Sequence, residues 1–318
     1  MIRTVRGAVR VLLFGRSDDR LRATWRILLS FGVFIGILLA TSALLRGIPF
    51  PEVLINIGQT LALFIAVALF LLLGARFIDR RPVADYGLEL DRQWWLDWLG
   101  AIVVGFLFQG LITGLMLGFG TGRIVGTLSS GMGTNAWTVG LGFAATVLAL
   151  LGVALWEELL FRSVVIQNAL EGLAARGVDS RTAVPVAVLG SALVFGIPHV
   201  TAVAEGASVL FAAVQAIVAG IYFGLAYVLT DSLAFPIGLH FSTNLWVASV
   251  LGQPGSDFPA LMRMQRDLQL GVEGVVTVLL PAAVLVGLTV GWVYVTRGAV
   301  AIDESLSATP SQTTPVSR

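Results

Sequence analysis

Trp156-Glu157-Glu158-Leu159-Leu160-Phe161-Arg162 places two carboxylates and a guanidinium inside a stretch that otherwise reads as membrane-spanning. A charge at the centre of a spanning helix costs roughly 2.5–3.5 kcal/mol even on lenient insertion scales, so an intramembrane acid marks a functional site by default. The chain has only two histidines, His199 and His240, and both also fall in apolar segments. The fold must be read around these few polar residues.

The 318 residues are 57% apolar and 12% charged, with a mean hydropathy of +0.90. Soluble domains run at about 45–50% apolar and about 25% charged. Uncharged runs over 27–45, 53–75, 98–122, 124–156, 182–204, 206–230, 232–256 and 274–296 each approach or exceed the roughly 20 residues that cross a ~30 Å hydrocarbon layer. This predicts an all-α, polytopic bundle of eight transmembrane helices forming one domain over 27–296, since too little hydrophilic chain remains for a soluble one.

All twenty basic residues are arginine and there is no cysteine, so disulfides and thiolate metal sites are excluded. Assigning loops alternately puts fifteen arginines on the side of the N-terminus and only Arg46, Arg123, Arg263 and Arg266 on the other. By the positive-inside rule both termini are cytoplasmic. The short loops and all-arginine basic set read as a prokaryotic, multi-pass cell-membrane protein.

Residues 1–26 hold seven arginines among apolar residues, a basic leader that either lies on anionic headgroups or only sets topology. The 76–97 connection ends in Trp94, Trp95 and Trp98, the pattern of an interfacial aromatic belt. Residues 121–136 read as a flexible outer loop. The 251–273 connection reads as an amphipathic one that covers a site or lies on the membrane. The Ser, Thr and Pro-rich tail, 297–318, has a composition that cannot bury a core.

On a helix with 3.6 residues per turn, Glu158 and Arg162 stack as an i,i+4 ion pair in the better-oriented order. Glu157 points to a different face and is the acid left free for chemistry. Phe195 and His199 share a face, and Pro198 bends the helix beside the imidazole. His240 and Asn244 also share a face, four and eight residues after Pro236. Each pair alone is compatible with ordinary interhelical packing, but three polar faces in so apolar a chain are most economically one cavity. Such a set supports two chemistries. A glutamate and an imidazole activate water while an imidazole and an amide hold an oxyanion, or Glu157, His199 and His240 ligate a divalent metal such as zinc with a fourth position open to water. The spacing does not choose between them.

Glu157, Glu158 and Arg162, then Phe195 and His199, then His240 and Asn244, in this order and each group on its own span, resemble the CPBP family of intramembrane proteases. That family includes the type II CAAX prenyl endopeptidases and the bacteriocin-processing or self-immunity (Abi) proteins. The resemblance covers roughly residues 137–250. It implies a helical bundle that hydrolyses a peptide bond of a membrane-associated protein or peptide, in which Glu157 and His199 activate water, His240 and Asn244 hold the oxyanion, and Glu158, Arg162 and Phe195 support them. Two other classes compete. A non-catalytic scaffold or immunity factor would tolerate loss of Glu157. An ion-coupled transporter would use the buried Glu, His and Arg as a relay, but would spread its ionisable groups over two matched halves. Nothing points to nucleic acid, because topology accounts for the leader's arginines.

Overall fold

The computed structural model of the chain describes residues 10, 12–15, 20–46, 52–131, 135–200, 208–252, 259–266, 271 and 274–302. Its eight helices long and apolar enough to cross a membrane are α1 (Ala23–Leu45), α2 (Gly58–Asp79), α3 (Arg92–Gly118), α4 (Ala136–Ala174), α5 (Ser180–His199), α6 (Val209–Thr230), α7 (Ala234–Leu251) and α8 (Leu280–Arg297). The expected all-α bundle of eight spans is therefore what the chain forms.

Several boundaries differ from the sequence reading. The apolar run 124–156 is not one span, because Gly122–Ser129 forms a strand, β1, that pairs antiparallel with β2 (Ala260–Arg266). Ile124, Val125 and Thr127 favour the extended chain of β1, and a bulge between Ile124 and Gly126 adjusts its register. The flexible outer loop expected over 121–136 is thus a strand over Gly122–Ser129, and of the 251–273 connection the residues 253–258, 267–270 and 272–273 lie outside the described residues. After the ribbon, Asn135 caps α4 by accepting from the Thr138 N–H at 3.0 Å, and the Thr138 hydroxyl accepts in return from the Asn135 N–H. The helix then runs unbroken through the charged motif to Ala174. Glu157, Glu158 and Arg162 consequently lie in its interior rather than at its end.

Three of these helices contain or end in π-helical turns, over Gly74–Asp79 in α2, Leu159–Ile166 in α4 and Trp246–Leu251 in α7. A π turn takes one residue more than an α turn and leaves a backbone carbonyl without its usual partner. In α4 the Ser191 hydroxyl of α5 donates to the Phe161 carbonyl at 2.5 Å, and the Asn168 amide donates to the Val164 carbonyl at 2.8 Å. All eight side chains of Leu159–Ile166 are buried.

Helix α7 is the axis of the bundle, with every side chain from Ala234 to Thr243 buried. It lies almost in van der Waals contact with α3. A Cβ on Gly238 would stand 2.6 Å from the Trp98 carbonyl oxygen and 2.8 Å from the Ala101 Cβ. Lipid supplies little hydrophobic drive between helices, so such close approach through small residues is what holds them together.

At the end of the bundle where α1 begins and α2 and α4 finish, an ionic cluster replaces the expected leader at the membrane surface. Arg20, Arg26 and Arg81 converge on Glu171, at 3.3, 2.6 and 2.9 Å. Arg26 also lies 3.7 Å from Asp79, which accepts from the Tyr86 hydroxyl at 2.6 Å. Burial first and the adjacent Asp79 carboxylate second push the Tyr86 phenol well above the usual tyrosine range. Arg20 and Arg26 are thus buried in protein, not presented to headgroups. The remaining leader positions 1–9, 11 and 16–19, and the tail from 303 onward, lie outside the described residues. Of the presumed aromatic belt, Trp94 is buried and donates to the Gly87 carbonyl at 3.0 Å, so it belongs to the core, while Trp95 is exposed.

Candidate active site

Two of the three polar motifs meet directly at the centre of the bundle. On α4, the Arg162 Nε lies 2.8 Å from Glu158 Oε2, and neither residue is exposed at all. This is the ion pair expected from the i,i+4 spacing. The two Nη atoms of Arg162 have no hydrogen-bond partner among the described residues. Aromatic faces cover the guanidinium instead, with its Cζ 4.6 Å from the Phe195 ring centroid, 5.4 Å from Phe223 and 6.0 Å from Phe161. Cation–π attraction of this kind is strongest where water is excluded.

The other oxygen of Glu158 makes a contact that motif-by-motif reading missed. Oε1 accepts from His240 Nδ1 on α7 at 2.7 Å. A carboxylate already neutralised by an arginine accepts the proton-bearing nitrogen, so Nδ1 carries hydrogen and Nε2 is turned outward. Glu158 therefore does more than pair with Arg162, because it also fixes the orientation of the His240 imidazole. On the far side of the ring, His240 Nε2 lies 3.7 Å from Glu157 Oε2. That gap is too long for a direct hydrogen bond, and it leaves both atoms able to bind a common water, the bridging water of the reading below. Glu157 Oε2 is buried and has no hydrogen-bond partner among the described residues. With a side chain 12% exposed, Glu157 is the free acid that the helical geometry predicts.

The third motif joins through a ring rather than a hydrogen bond. Phe195 packs 4.7 Å from the His199 ring, 6.1 Å from the His240 ring and edge-on to Phe161 at 5.1 Å. It thus packs against both imidazoles and against the Arg162 guanidinium. His199 Nδ1 donates to the Phe195 carbonyl at 2.8 Å, which leaves its Nε2 with a free lone pair. Glu157 lies within electrostatic reach of both His199 and His240. Pro198 does not bend a continuing helix, since α5 ends at His199 and the expected stretch beyond it, 201–204, lies outside the described residues. Asn244, one turn beyond His240 on α7, is half-buried, and no hydrogen bond ties it to a described residue.

Phe223 stacks on the His240 ring at 4.8 Å and 15°, a role nothing in its sequence context signals. Its neighbour Tyr222 lies within electrostatic reach of the Glu158–Arg162 pair. As for a metal, among the described residues no group of three or more His, Cys, Asp or Glu side chains is arranged to hold one. The donor set does not fit a three-ligand zinc site in this arrangement, and no step below is routed through one.

Residues 138–246 match the family model described as Type II CAAX prenyl endopeptidase Rce1-like, so this part of the chain is similar to that family. The match runs from the start of α4 to just past Asn244, and so contains every motif residue. No curated protein and no solved structure matches the chain.

Proposed function

We propose that this multi-pass membrane protein is an endopeptidase that hydrolyses a peptide bond of a membrane-associated protein or peptide with a water activated by Glu157. The observation that carries this reading is the relay Arg162–Glu158–His240 ending 3.7 Å from the unpartnered Glu157 Oε2. The family match over the same residues supports peptide-bond hydrolysis, and CAAX-type processing is the substrate class that the family description suggests. Both termini lie in the cytoplasm of a prokaryotic cell, in accord with the arginine count.

In this reading His240, held through Nδ1 by Glu158, presents Nε2 toward the site as an N–H donor. The scissile carbonyl sits so that this N–H and the Asn244 amide donate to its oxygen as it becomes an oxyanion. Glu157 takes a proton from the bridging water, with the His199 Nε2 lone pair sharing that duty, and the hydroxide oxygen bonds to the carbonyl carbon. When the carbon–nitrogen bond breaks, protonated Glu157 returns the proton to the leaving amine.

The test is a comparison of peptide termini in membrane proteins from cells carrying wild type or Glu157→Gln at equal abundance. Termini present only with the wild type are expected. Identical termini in both would overturn the peptidase reading in favour of a non-catalytic scaffold.

A further inference from the structure

Beyond the catalytic cluster, α3, α6, the π-helical end of α7 and β2 enclose a cavity of about 80 Å3. Its polar wall consists of Gln109, Gln215, Tyr222 and Arg266, and Val247 and Leu251 contribute to its apolar one. Arg266 closes β2 and differs from the other buried arginines. Arg20, Arg26, Arg81 and Arg162 each face a carboxylate, whereas no carboxylate among the described residues pairs with Arg266. Burial holds its guanidinium below the usual arginine range. Leaving a cation so placed is expensive unless a ligand brings the counter-charge.

The cavity adjoins the catalytic groups. Tyr222 is next in sequence to Phe223, which stacks on His240. The Gln109 amide donates to the Thr243 carbonyl at 3.4 Å, and Val247 lies one turn beyond Asn244. From His240 to Val247 the helix rises on the order of 10 Å, a distance that a few residues of extended peptide cover. The cavity is too small for a lipid headgroup and its chains. It does suit a carboxylate on an aliphatic stem, since a guanidinium fork binds carboxylate in a paired geometry, side-chain amides add donors, and Val247 and Leu251 receive the stem.

We infer that this cavity is a subsite for a carboxylate of the bound peptide, with Arg266 as the specificity-determining cation. The inference rests on the peptidase reading and adds which end chemistry of the substrate is selected. The carboxylate is either a free C-terminus or an acidic side chain close to the scissile bond.

The test uses the full chain carrying Glu157→Gln in phosphatidylcholine nanodiscs, so that binding is read without turnover. Three fluorescent leucine-rich hexapeptides are compared by anisotropy: a C-terminal acid, the corresponding amide, and an amide with one internal glutamate. The acid, the glutamate peptide or both should bind about tenfold or more tightly than the plain amide, and which of them does so identifies the source of the carboxylate. Arg266→Gln should erase the difference, and Arg266→Lys should retain part of it. Because no carboxylate among the described residues pairs with Arg266, Arg266→Gln should unfold at an equal or higher temperature than its parent; a fall would mean that the residue serves structure and would overturn the inference. Equal binding of all three peptides with Arg266 intact would overturn the subsite alone. If no peptide binds, the peptidase reading falls with it. Loss of the acid preference when phosphatidylglycerol is included would instead assign the cavity to lipid phosphate.

Discussion

Replacing Glu158 by Gln separates the two roles that its carboxylate combines. The substitution keeps the shape of the side chain but leaves one oxygen where there were two, so that of Arg162 Nε, 2.8 Å from the carboxylate, and His240 Nδ1, 2.7 Å from it, one keeps an acceptor and the other meets an NH2 group. It also removes the charge. Arg162 becomes a fully buried cation whose nearest support is the faces of Phe195, Phe223 and Phe161. Breaking one side of a buried pair costs about 3–5 kcal/mol. One donor keeps an acceptor while the other faces an NH2 group, so the loss is at least about 3 kcal/mol, and about 3 kcal/mol in a chain of this size lowers the unfolding temperature by roughly 6–12 °C. Removing both charges with Glu158→Gln and Arg162→Met should restore most of that loss, since well-packed neutral pairs often match or exceed buried ion pairs.

Activity should behave differently. Without an ionised Glu158 the His240 imidazolium is no longer stabilised from Nδ1, and an imidazole deprived of its orienting carboxylate loses about a hundredfold or more in turnover. The double variant should therefore be stable and remain impaired. Thermal unfolding in detergent measures one effect, and cleavage of a substrate identified from the terminus comparison measures the other. Recovery of activity together with stability in the double variant would refute the Glu158–His240 link as a catalytic element. A Glu158→Gln protein as stable as wild type would refute the energetic account of the ion pair.

Tyr86→Phe removes the 2.6 Å bond to Asp79 and should cost about 1.5–3 kcal/mol at neutral pH, as for other bonds to charged groups. The folded phenol titrates above the unfolded value of about 10, so its stabilisation is complete below that value and disappears as pH rises past it. The wild type should therefore lose more stability than Tyr86→Phe in melts between about pH 9.5 and 11.5. Gly238→Ala would force α7 away from the Trp98 carbonyl and should lower the unfolding temperature by several degrees, since overpacking typically costs about 1–3 kcal/mol; an unchanged melt would show that α3 and α7 give way freely. Cleavage should survive exhaustive chelation, because the donors do not gather as a three-ligand set, and its loss on chelation with recovery on added zinc would overturn the water-activation scheme given above.

The eight spans were legible because lipid imposes a length on apolar runs, and that constraint acts on local sequence alone. Glu157, Glu158 and Arg162 were legible for the complementary reason, that charge in such a run demands a partner. The Glu158–His240 bond was not, since it joins residues 82 apart and either residue has a plausible partner nearer in sequence. Arg20 and Arg26 misled for a related reason. Arginine-rich ends usually set topology, and only the arrival of Glu171 from α4 shows that these two neutralise a carboxylate instead. The ribbon was hidden because Gly122–Ser129 pairs with a segment some 140 residues away, and neither strand alone has a strong alternating pattern.

The least legible feature, the π segment Leu159–Ile166, also explains how one helix serves both polar clusters. Glu157 and Glu158 precede it, and Gln167 and Glu171 follow it, at the arginine cluster. A regular 3.6-residue period would fix the angle between these two sets once their spacing was chosen. Each π turn absorbs an extra residue and so resets that angle, which frees the catalytic carboxylates to face α7 while Glu171 faces α1 and the turn after α2. The carbonyl left over at Phe161 is met by Ser191 from the helix that also carries Phe195 and His199. The irregularity thereby fastens α4 to α5 beside the Phe161–Phe195 ring contact. Straightening α4 would disturb both clusters together, which makes the π segment the joint through which the ionic anchoring at the bundle's end bears on the position of Glu157.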